Sequence, residues 1–178
     1  TTEIYTLSLH DALPISLDGA SCGGGVAKRL VMAGEVQKLT GLTADQLREW
    51  TNRRGLIQPD AQPNGPGSRA RYAWQTVLLL RLAVVFKETF HIELQAQRDL
   101  FAALAQRLAK RPFHALRGSA LVLQAGAQYD IVSLSEIRAV DTDCLIIRLD
   151  PHLDALSIDF GLVEPTGQLP LFAAMAVR

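Results

Sequence analysis

The sequence is poor in the features that mark secreted, membrane and metal-binding proteins. Only two cysteines occur, Cys22 and Cys144, and neither belongs to a CxxC motif, which argues against a disulfide framework or a structural zinc site. No run reaches the ~18 uninterrupted apolar residues of a membrane helix, and no signal peptide is visible. With 48% hydrophobic residues, we expect a folded cytoplasmic protein with a real core and no membrane partner.

The sequence also lacks a catalytic constellation. Three histidines, His91, His114 and His152, stand alone, and an isolated histidine is more often structural than catalytic. Acidic residues near His152 could surround a hard cation, but their spacing matches no EF-hand loop, and solvated turns are the simpler interpretation. These residues are Asp141, Asp143, Asp150, Asp154 and Asp159. We therefore expect no enzyme, no cofactor and no metal.

The net charge of zero conceals an uneven distribution. Residues 28–111 hold 14 Lys/Arg against 7 Asp/Glu, a net charge of +7, whereas residues 112–178 hold 4 against 8, a net charge of −4. A basic region suits phosphate binding, because neutralised phosphates release their counterions. We therefore predict a DNA-binding region at 28–111 and a small α/β region of unknown role at 112–178.

The first 27 residues are set aside as a lead-in. Residues 1–16, TTEIYTLSLHDALPIS, resemble a peptide that arises when sequencing-adapter DNA is translated as part of a draft gene. The alternative is an amphipathic N-terminal helix or strand. The run Gly23-Gly24-Gly25 lacks the Lys-Ser/Thr ending of a P-loop, so a flexible segment is the simpler interpretation.

Residues 34–72 predict two short helices, a tight turn and a basic loop bounded by short strands. Apolar residues recur here at roughly helical spacing. Thr43 and Gln46 form a capping-box pattern, which predicts a helix over about residues 43–54. Gly41 suits the preceding turn, because such a position often needs positive φ. The second helix carries a long basic and polar surface, as in the recognition helix of a helix-turn-helix.

This segment resembles the winged helix-turn-helix of MerR-type transcription regulators over about residues 34–90. The resemblance rests on Leu39-Thr40-Gly41-Leu42-Thr43, Leu47-Arg48-Glu49-Trp50, Gly55-Leu56-Ile57 and Arg69-Ala70-Arg71-Tyr72. It implies a bacterial-type regulator that binds double-stranded DNA, distorts promoter DNA and forms a homodimer. Metal-sensing members hold their ion with cysteines in the C-terminal part, where this chain has only Cys144.

The DNA-binding roles follow from side-chain chemistry. Arginines suit phosphates, while Gln46 and Asn52 could reach base edges. Trp50 would pack or touch the DNA backbone. Between helix and basic strand, residues 59–68 contain three prolines and two glycines, which favours a wing tip over a plain linker. The candidate DNA-binding residues are Thr43, Gln46, Arg48, Trp50, Asn52, Arg53, Arg54, Arg69, Arg71 and Tyr72.

The remaining chain predicts an α+β fold: a winged helix-turn-helix, two helices and a small C-terminal β-rich region. The helices are expected at residues 73–86, apolar nearly all round, and at 90–110, with one apolar face that is either a core edge or half of a dimer interface. Three strands are expected near residues 120–124, 129–134 and 144–149, then a helical turn from Asp150-Pro151 through Leu156.

Two alternatives stay open. The tail sequence Gln168-Leu169-Pro170-Leu171-Phe172 resembles the peptide with which bacterial replication and repair proteins dock on the sliding clamp, and a terminal strand packed on the domain is the other interpretation. For the whole chain, the alternative to a regulator is a protein-interaction or architectural module that retains the winged helix without sequence-specific DNA binding. The charge of +7 on residues 28–111 favours the regulator.

Overall fold

The protein combines helices with two small antiparallel sheets, as the sequence predicts. The structure, a computed structural model, describes residues 29–63, 65, 68–124, 128–137 and 142–162. Residues 1–28 and the tail motif Gln168–Phe172 lie outside the described residues. The elements are β1 (Val31–Met32), α1 (Ala33–Thr40), α2 (Ala44–Arg48), β2 (Arg71–Tyr72), α3 (Trp74–Glu88), α4 (Arg98–Ala109), β3 (Ser119–Gln124), β4 (Tyr129–Ser133), β5 (Cys144–Arg148) and α5 (Asp150–Ser157).

Helix α3 is the centre of the packing. Its apolar residues leave almost no polar side, and Leu78, Leu80 and Phe86 are fully buried. Helices α1, α4 and α5 all pack against it. The ring of Phe86 meets that of Phe101 on α4 edge to face, with centroids 5.6 Å apart, and Trp74 meets Phe113 in the same way at 5.1 Å. Such pairs contribute about 0.5–1.5 kcal/mol beyond their buried area.

The turn between α1 and α2 follows the local sequence. Gly41 has φ 77°, the left-handed conformation that glycine adopts without steric cost. Its amide donates to the carbonyl of Gln37 at 2.8 Å, which closes the C-terminal turn of α1. The predicted helix-turn-helix connection is confirmed.

Two predicted helices differ from those observed. The helix expected at 90–110 begins at Arg98, after a 3-10 turn at Leu94–Gln97, because His91 adopts φ 52° and the amide of Ile92 turns back to the carbonyl of Phe86 at 2.9 Å. The recognition helix expected at 43–54 is α-helical only through Arg48 and continues as a π-helical turn, Glu49–Arg53.

The C-terminal region forms the three strands expected from its β-branched pattern. The strand order is β4-β3-β5, and Leu121 pairs with Ile131 on one side and Ile147 on the other. These three buried side chains belong to the same core cluster as the helices. Helix α5 follows β5 and begins at the predicted Asp150-Pro151. The division of the chain at residue 112 stays a prediction, since the described residues on both sides share one core.

Asp60 connects the loop before β2 to the start of α3. No side chain caps α3 at its own N-cap residue, Ala73. The Oδ2 atom of Asp60 accepts instead from the amide of Ala73 at 2.7 Å and from the hydroxyl of Thr76 at 2.6 Å. A carboxylate here satisfies a helix-start amide and complements the positive end of the helix dipole.

We expect Asp60→Ala to lower the free energy of unfolding by about 1–3 kcal/mol, because the amide of Ala73 and the hydroxyl of Thr76 both lose their acceptor. Urea denaturation followed by circular dichroism measures this change. Asp159→Ala, at an exposed position with no hydrogen bond among the described residues, is the matched control and should change the stability by under about 0.5 kcal/mol. Equal losses in both variants would contradict the capping role.

Arg81 of α3 lies between α1 and α5. Its Nη1 donates to the carbonyl of Leu39 at the C-terminal end of α1, where a cation also complements the helix dipole. Burial lowers the pKa of Arg81. Burial, and secondarily the charge of Arg81, lowers the pKa of His152 on α5. The Nδ1 atom of His152 is buried without a hydrogen-bond partner in the described structure, so the neutral imidazole is the form that fits.

This shift predicts a pH dependence of stability. The folded pKa of His152 lies below its ordinary value of 6.5, so in mildly acidic solution the unfolded chain binds more protons than the folded one. The free energy of unfolding should therefore fall as the pH is lowered from about 7.5 to about 5.5, starting near the ordinary histidine pKa. His152→Gln should flatten this dependence in denaturation series, whereas His114→Gln, at an exposed position, should preserve it. An unchanged profile in His152→Gln would refute the assignment.

Candidate nucleic-acid interface

The recognition segment Ala44–Arg53 begins with the predicted capping box. The Oγ1 atom of Thr43 accepts from the amide of Gln46 at 3.2 Å, and Oε1 of Gln46 accepts from the amide of Thr43 at 3.0 Å. The reciprocal bonds satisfy two helix-start amides and set α2 to begin at Ala44. The side-chain oxygen of Gln46 is thereby engaged, so its amide NH₂ is the group left for a partner.

The π-helical turn Glu49–Arg53 changes the direction of the second half of the segment. The amide of Arg54 donates to the carbonyl of Glu49, and the amide of Leu56 to that of Trp50, both at 2.8 Å. The hydroxyl of Thr51 donates to the carbonyl of Leu47 at 2.8 Å. Single π turns recur at functional sites, because one extra residue in the turn re-aims the side chains around it. Here Trp50 and Thr51 point inward, while Asn52 and Arg53 are exposed.

The exposed arginines differ in their electrostatic partners. Arg48 and Arg53 pair with no carboxylate among the described residues. In contrast, Nη2 of Arg54 lies 2.6 Å from Oε1 of Glu49, and its Nη1 lies 3.7 Å from Oε1 of Glu93. Arg48 and Arg53 therefore offer unneutralised cations, whereas the charge of Arg54 is already shared between two carboxylates.

Two predicted DNA contacts are buried and need correction. Trp50 is 3% exposed and Tyr72 is 3% exposed, and both belong to the core. Burial raises the pKa of the Tyr72 hydroxyl, and a hydrogen bond with Thr51 opposes that shift. Neither ring can reach a nucleic acid from these positions. Of the two roles predicted for Trp50, packing in the core is the one that its burial supports. Tyr72 is likewise a core residue.

A second basic group surrounds the end of the predicted wing. Arg71 pairs with Met32 through β2 and β1, and its backbone exchanges two 3.1 Å hydrogen bonds with Ala61. Arg69 and Arg71 are exposed and line a groove of about 560 Å³ together with Leu30, Met32, Ala61, Gln62 and Ser68. Neither Arg48 nor Arg53 is among the residues that line this groove. The wing interpretation of residues 59–68 stays a prediction.

Two further residues support the candidate interface and were not predicted from the sequence. Lys87 of α3 places its ammonium 5.6 Å from the centroid of the Trp50 ring, which adds a cation–π contact behind the recognition segment. Asp60 anchors the loop that leads to Arg69 and Arg71. Neither has a local sequence signal, since both partners are far away along the chain.

Other classes of site find little support in the part of the chain that the structure describes. No group of three or more His, Cys, Asp or Glu side chains there is arranged to hold a metal ion. Two of the suspected acidic residues have structural roles: Asp150 accepts from the amide of Gly118 at 3.0 Å, and Asp154 pairs with Arg117. Among the described helices, none has both the length and the apolar character needed to cross a membrane.

The fold and the exposed basic segment define a helix-turn-helix protein. Residues 31–104 match the model of the family described as MerR HTH family regulatory protein, so this segment is a MerR-type helix-turn-helix region, as the sequence motifs indicate. The match covers β1 through most of α4 and stops before the three-stranded sheet. No curated protein matches the chain. The homodimer and the sliding-clamp partner stay predictions without support from these comparisons.

The capping box predicts how Gln46 contributes to stability. Gln46→Ala should lower the free energy of unfolding by about 0.5–1 kcal/mol, since the amide of Thr43 loses its acceptor. Gln46→Glu should keep that acceptor, and a negative charge in the first helical turn is favourable. Thermal and urea denaturation of the three proteins measure the difference. A Glu variant as unstable as the Ala variant would contradict the capping role.

Proposed function

We propose that the chain is a DNA-binding transcription regulator whose recognition segment Ala44–Arg53 enters the major groove. One observation carries this proposal. Arg48 and Arg53 are exposed and pair with no carboxylate among the described residues, while Trp50 and Thr51 of the same segment are buried in the core. A rigid helix with free cations on its outer side is what major-groove binding requires. Such a regulator acts where chromosomal DNA is, which agrees with the expected cytoplasmic location.

The residues divide into two roles. Arg48, Arg53, Arg69 and Arg71 bind phosphates, which position the protein without reading sequence. Asn52 is exposed beside Arg53 and presents an amide suited to a base edge, in particular adenine. The Oε1 atom of Gln46 accepts from the amide of Thr43, and Oδ1 of Asn52 lies 3.3 Å from the hydroxyl of Thr51, so the NH₂ group is the free donor of both side chains.

We expect Arg48→Ala and Arg53→Ala each to weaken DNA binding nearly equally on all sequences. Each variant should also reduce the slope of log affinity against log salt by about 0.9, the value for one lost phosphate contact. Fluorescence anisotropy with a fixed duplex between about 50 and 200 mM salt measures this slope. Arg148→Ala is the matched control, because Arg148 is exposed on β5 and pairs with no described carboxylate. If neither Arg48→Ala nor Arg53→Ala changes the slope of log affinity against log salt, DNA does not bind at the recognition segment.

Selection of bound fragments from a random duplex library tests sequence specificity. An enriched inverted repeat would establish a dimeric regulator, and its half-site spacing would report the geometry. A single enriched half-site would indicate a monomer. Binding that fades with salt and enriches no sequence would leave only the generic phosphate interaction and would favour the interaction module over the regulator.

A further inference from the structure

A cavity of about 320 Å³ lies between α4 and the segment that follows the π-helical turn. Its volume falls in the range of small-molecule sites. Four buried apolar side chains form its floor: Leu56, Ile57, Leu79 and Phe101. Because these side chains belong to the protein core, the floor is fixed before any ligand arrives.

The rim of the cavity carries one cation. Arg98, at the first residue of α4, and Gln58 both line it and are exposed. Arg98 pairs with no carboxylate among the described residues. The other polar lining residue, Thr76, already donates its hydroxyl to Asp60 at 2.6 Å. The groups available to a ligand are therefore one guanidinium and one primary amide at the entrance of an apolar chamber.

Gly55 also lines the cavity, beside Arg98. It adopts φ 56°, and a Cβ atom placed on it would lie 3.4 Å from Nη2 of Arg98. A side chain at this position would strain the backbone, and its Cβ would touch the guanidinium at ordinary van der Waals distance. The conformation of Gly55 therefore favours glycine at this edge of the cavity.

We propose that this cavity binds a small monocarboxylate with an apolar body. The carboxylate accepts two hydrogen bonds from Arg98, for which the planar guanidinium is well matched, and Gln58 supplies a further donor. The apolar body lies on Leu56, Ile57, Leu79 and Phe101. A phosphate monoester is disfavoured, since the described lining offers only one cation, and a neutral apolar molecule would gain no charge-assisted contact from the exposed Arg98.

Two residues that line the cavity, Leu56 and Ile57, are hydrogen-bonded to the recognition segment. The coupling inferred from this contact rests on the proposed function. The amides of Leu56 and Ile57 both donate to the carbonyl of Trp50, at 2.8 and 3.4 Å. A ligand that contacts Leu56 and Ile57 therefore acts on the backbone that closes the π-helical turn. Allosteric coupling between two such sites commonly changes affinity by about 5–150-fold.

Calorimetric titration of the full chain with octanoate, in the absence of DNA, tests the site. Octanoate should bind, and octanamide, which has the same body without the charge, should bind at least about tenfold more weakly, the effect of one charge-assisted contact. Arg98→Gln should remove this difference by weakening octanoate alone. The matched control Arg148→Gln should bind as the parent chain does. Absence of octanoate binding in the parent, or equal affinity for the two ligands, would overturn the proposal.

A second variant locates the ligand. Ala102 lines the cavity from α4 and is exposed, so Ala102→Phe should fill the entrance without disturbing the core. Its control is Ala109→Phe, on the same helix, exposed and not among the residues that line the cavity. Octanoate binding should disappear in Ala102→Phe and persist in Ala109→Phe. Binding that survives Ala102→Phe, with circular dichroism showing a folded protein, would place octanoate elsewhere and overturn the proposal.

DNA affinity measured with and without saturating octanoate tests the coupling separately. We expect a change of about fivefold or more in the parent chain and no change in Ala102→Phe. DNA binding without octanoate reports on the proposed function, and octanoate binding without DNA reports on the cavity. If the protein does not bind DNA, the octanoate titration still tests the cavity. Octanoate binding with unchanged DNA affinity would overturn the coupling alone.

Discussion

Burial of α3 is the constraint on which the rest of the structure depends. A helix that is apolar nearly all round cannot leave any side in water without exposing a large hydrophobic area. Helices α1, α4 and α5 therefore pack against it. The three-stranded sheet contributes Leu121, Ile131 and Ile147 to the same core. The helix-turn-helix is stable here because it covers one side of α3, since helices as short as α1 and α2 are marginal by themselves.

The geometry of the recognition segment follows from this packing. Trp50 and Thr51 must face the core, and the π-helical turn is the backbone arrangement that turns both inward while Asn52 and Arg53 stay exposed. Tyr72 closes the same core from β2, so Trp50 and Tyr72 support the segment from inside while Arg48 and Arg53 stay exposed. Asp60 then fixes the loop before β2 to the first turn of α3, which positions Arg69 and Arg71 relative to the core.

The same arrangement connects the helix-turn-helix to the rest of the chain. Arg81 joins the C-terminal end of α1 to the surroundings of His152 on α5, and the cavity at Arg98 joins α4 to the end of the recognition segment. Both connections pass through α3 or its immediate neighbours. Residues of α4, α5 and the recognition segment thus share one tightly packed core.

Local chemistry by itself determined the start of α2, the turn at Gly41, the three strands and the basic character of residues 28–111. Each of these depends on residues a few positions apart: Gln46 reaches Thr43 within one helical turn, and the β-branched runs with their turn-forming separators are local features. Tertiary structure decided which basic residues remain available. Burial of Trp50 and Tyr72, pairing of Arg54 with Glu93, capping of α3 by Asp60 and the cavity at Arg98 all join residues that are distant along the chain. No local pattern encodes such contacts, because they exist only once the helices have packed around α3.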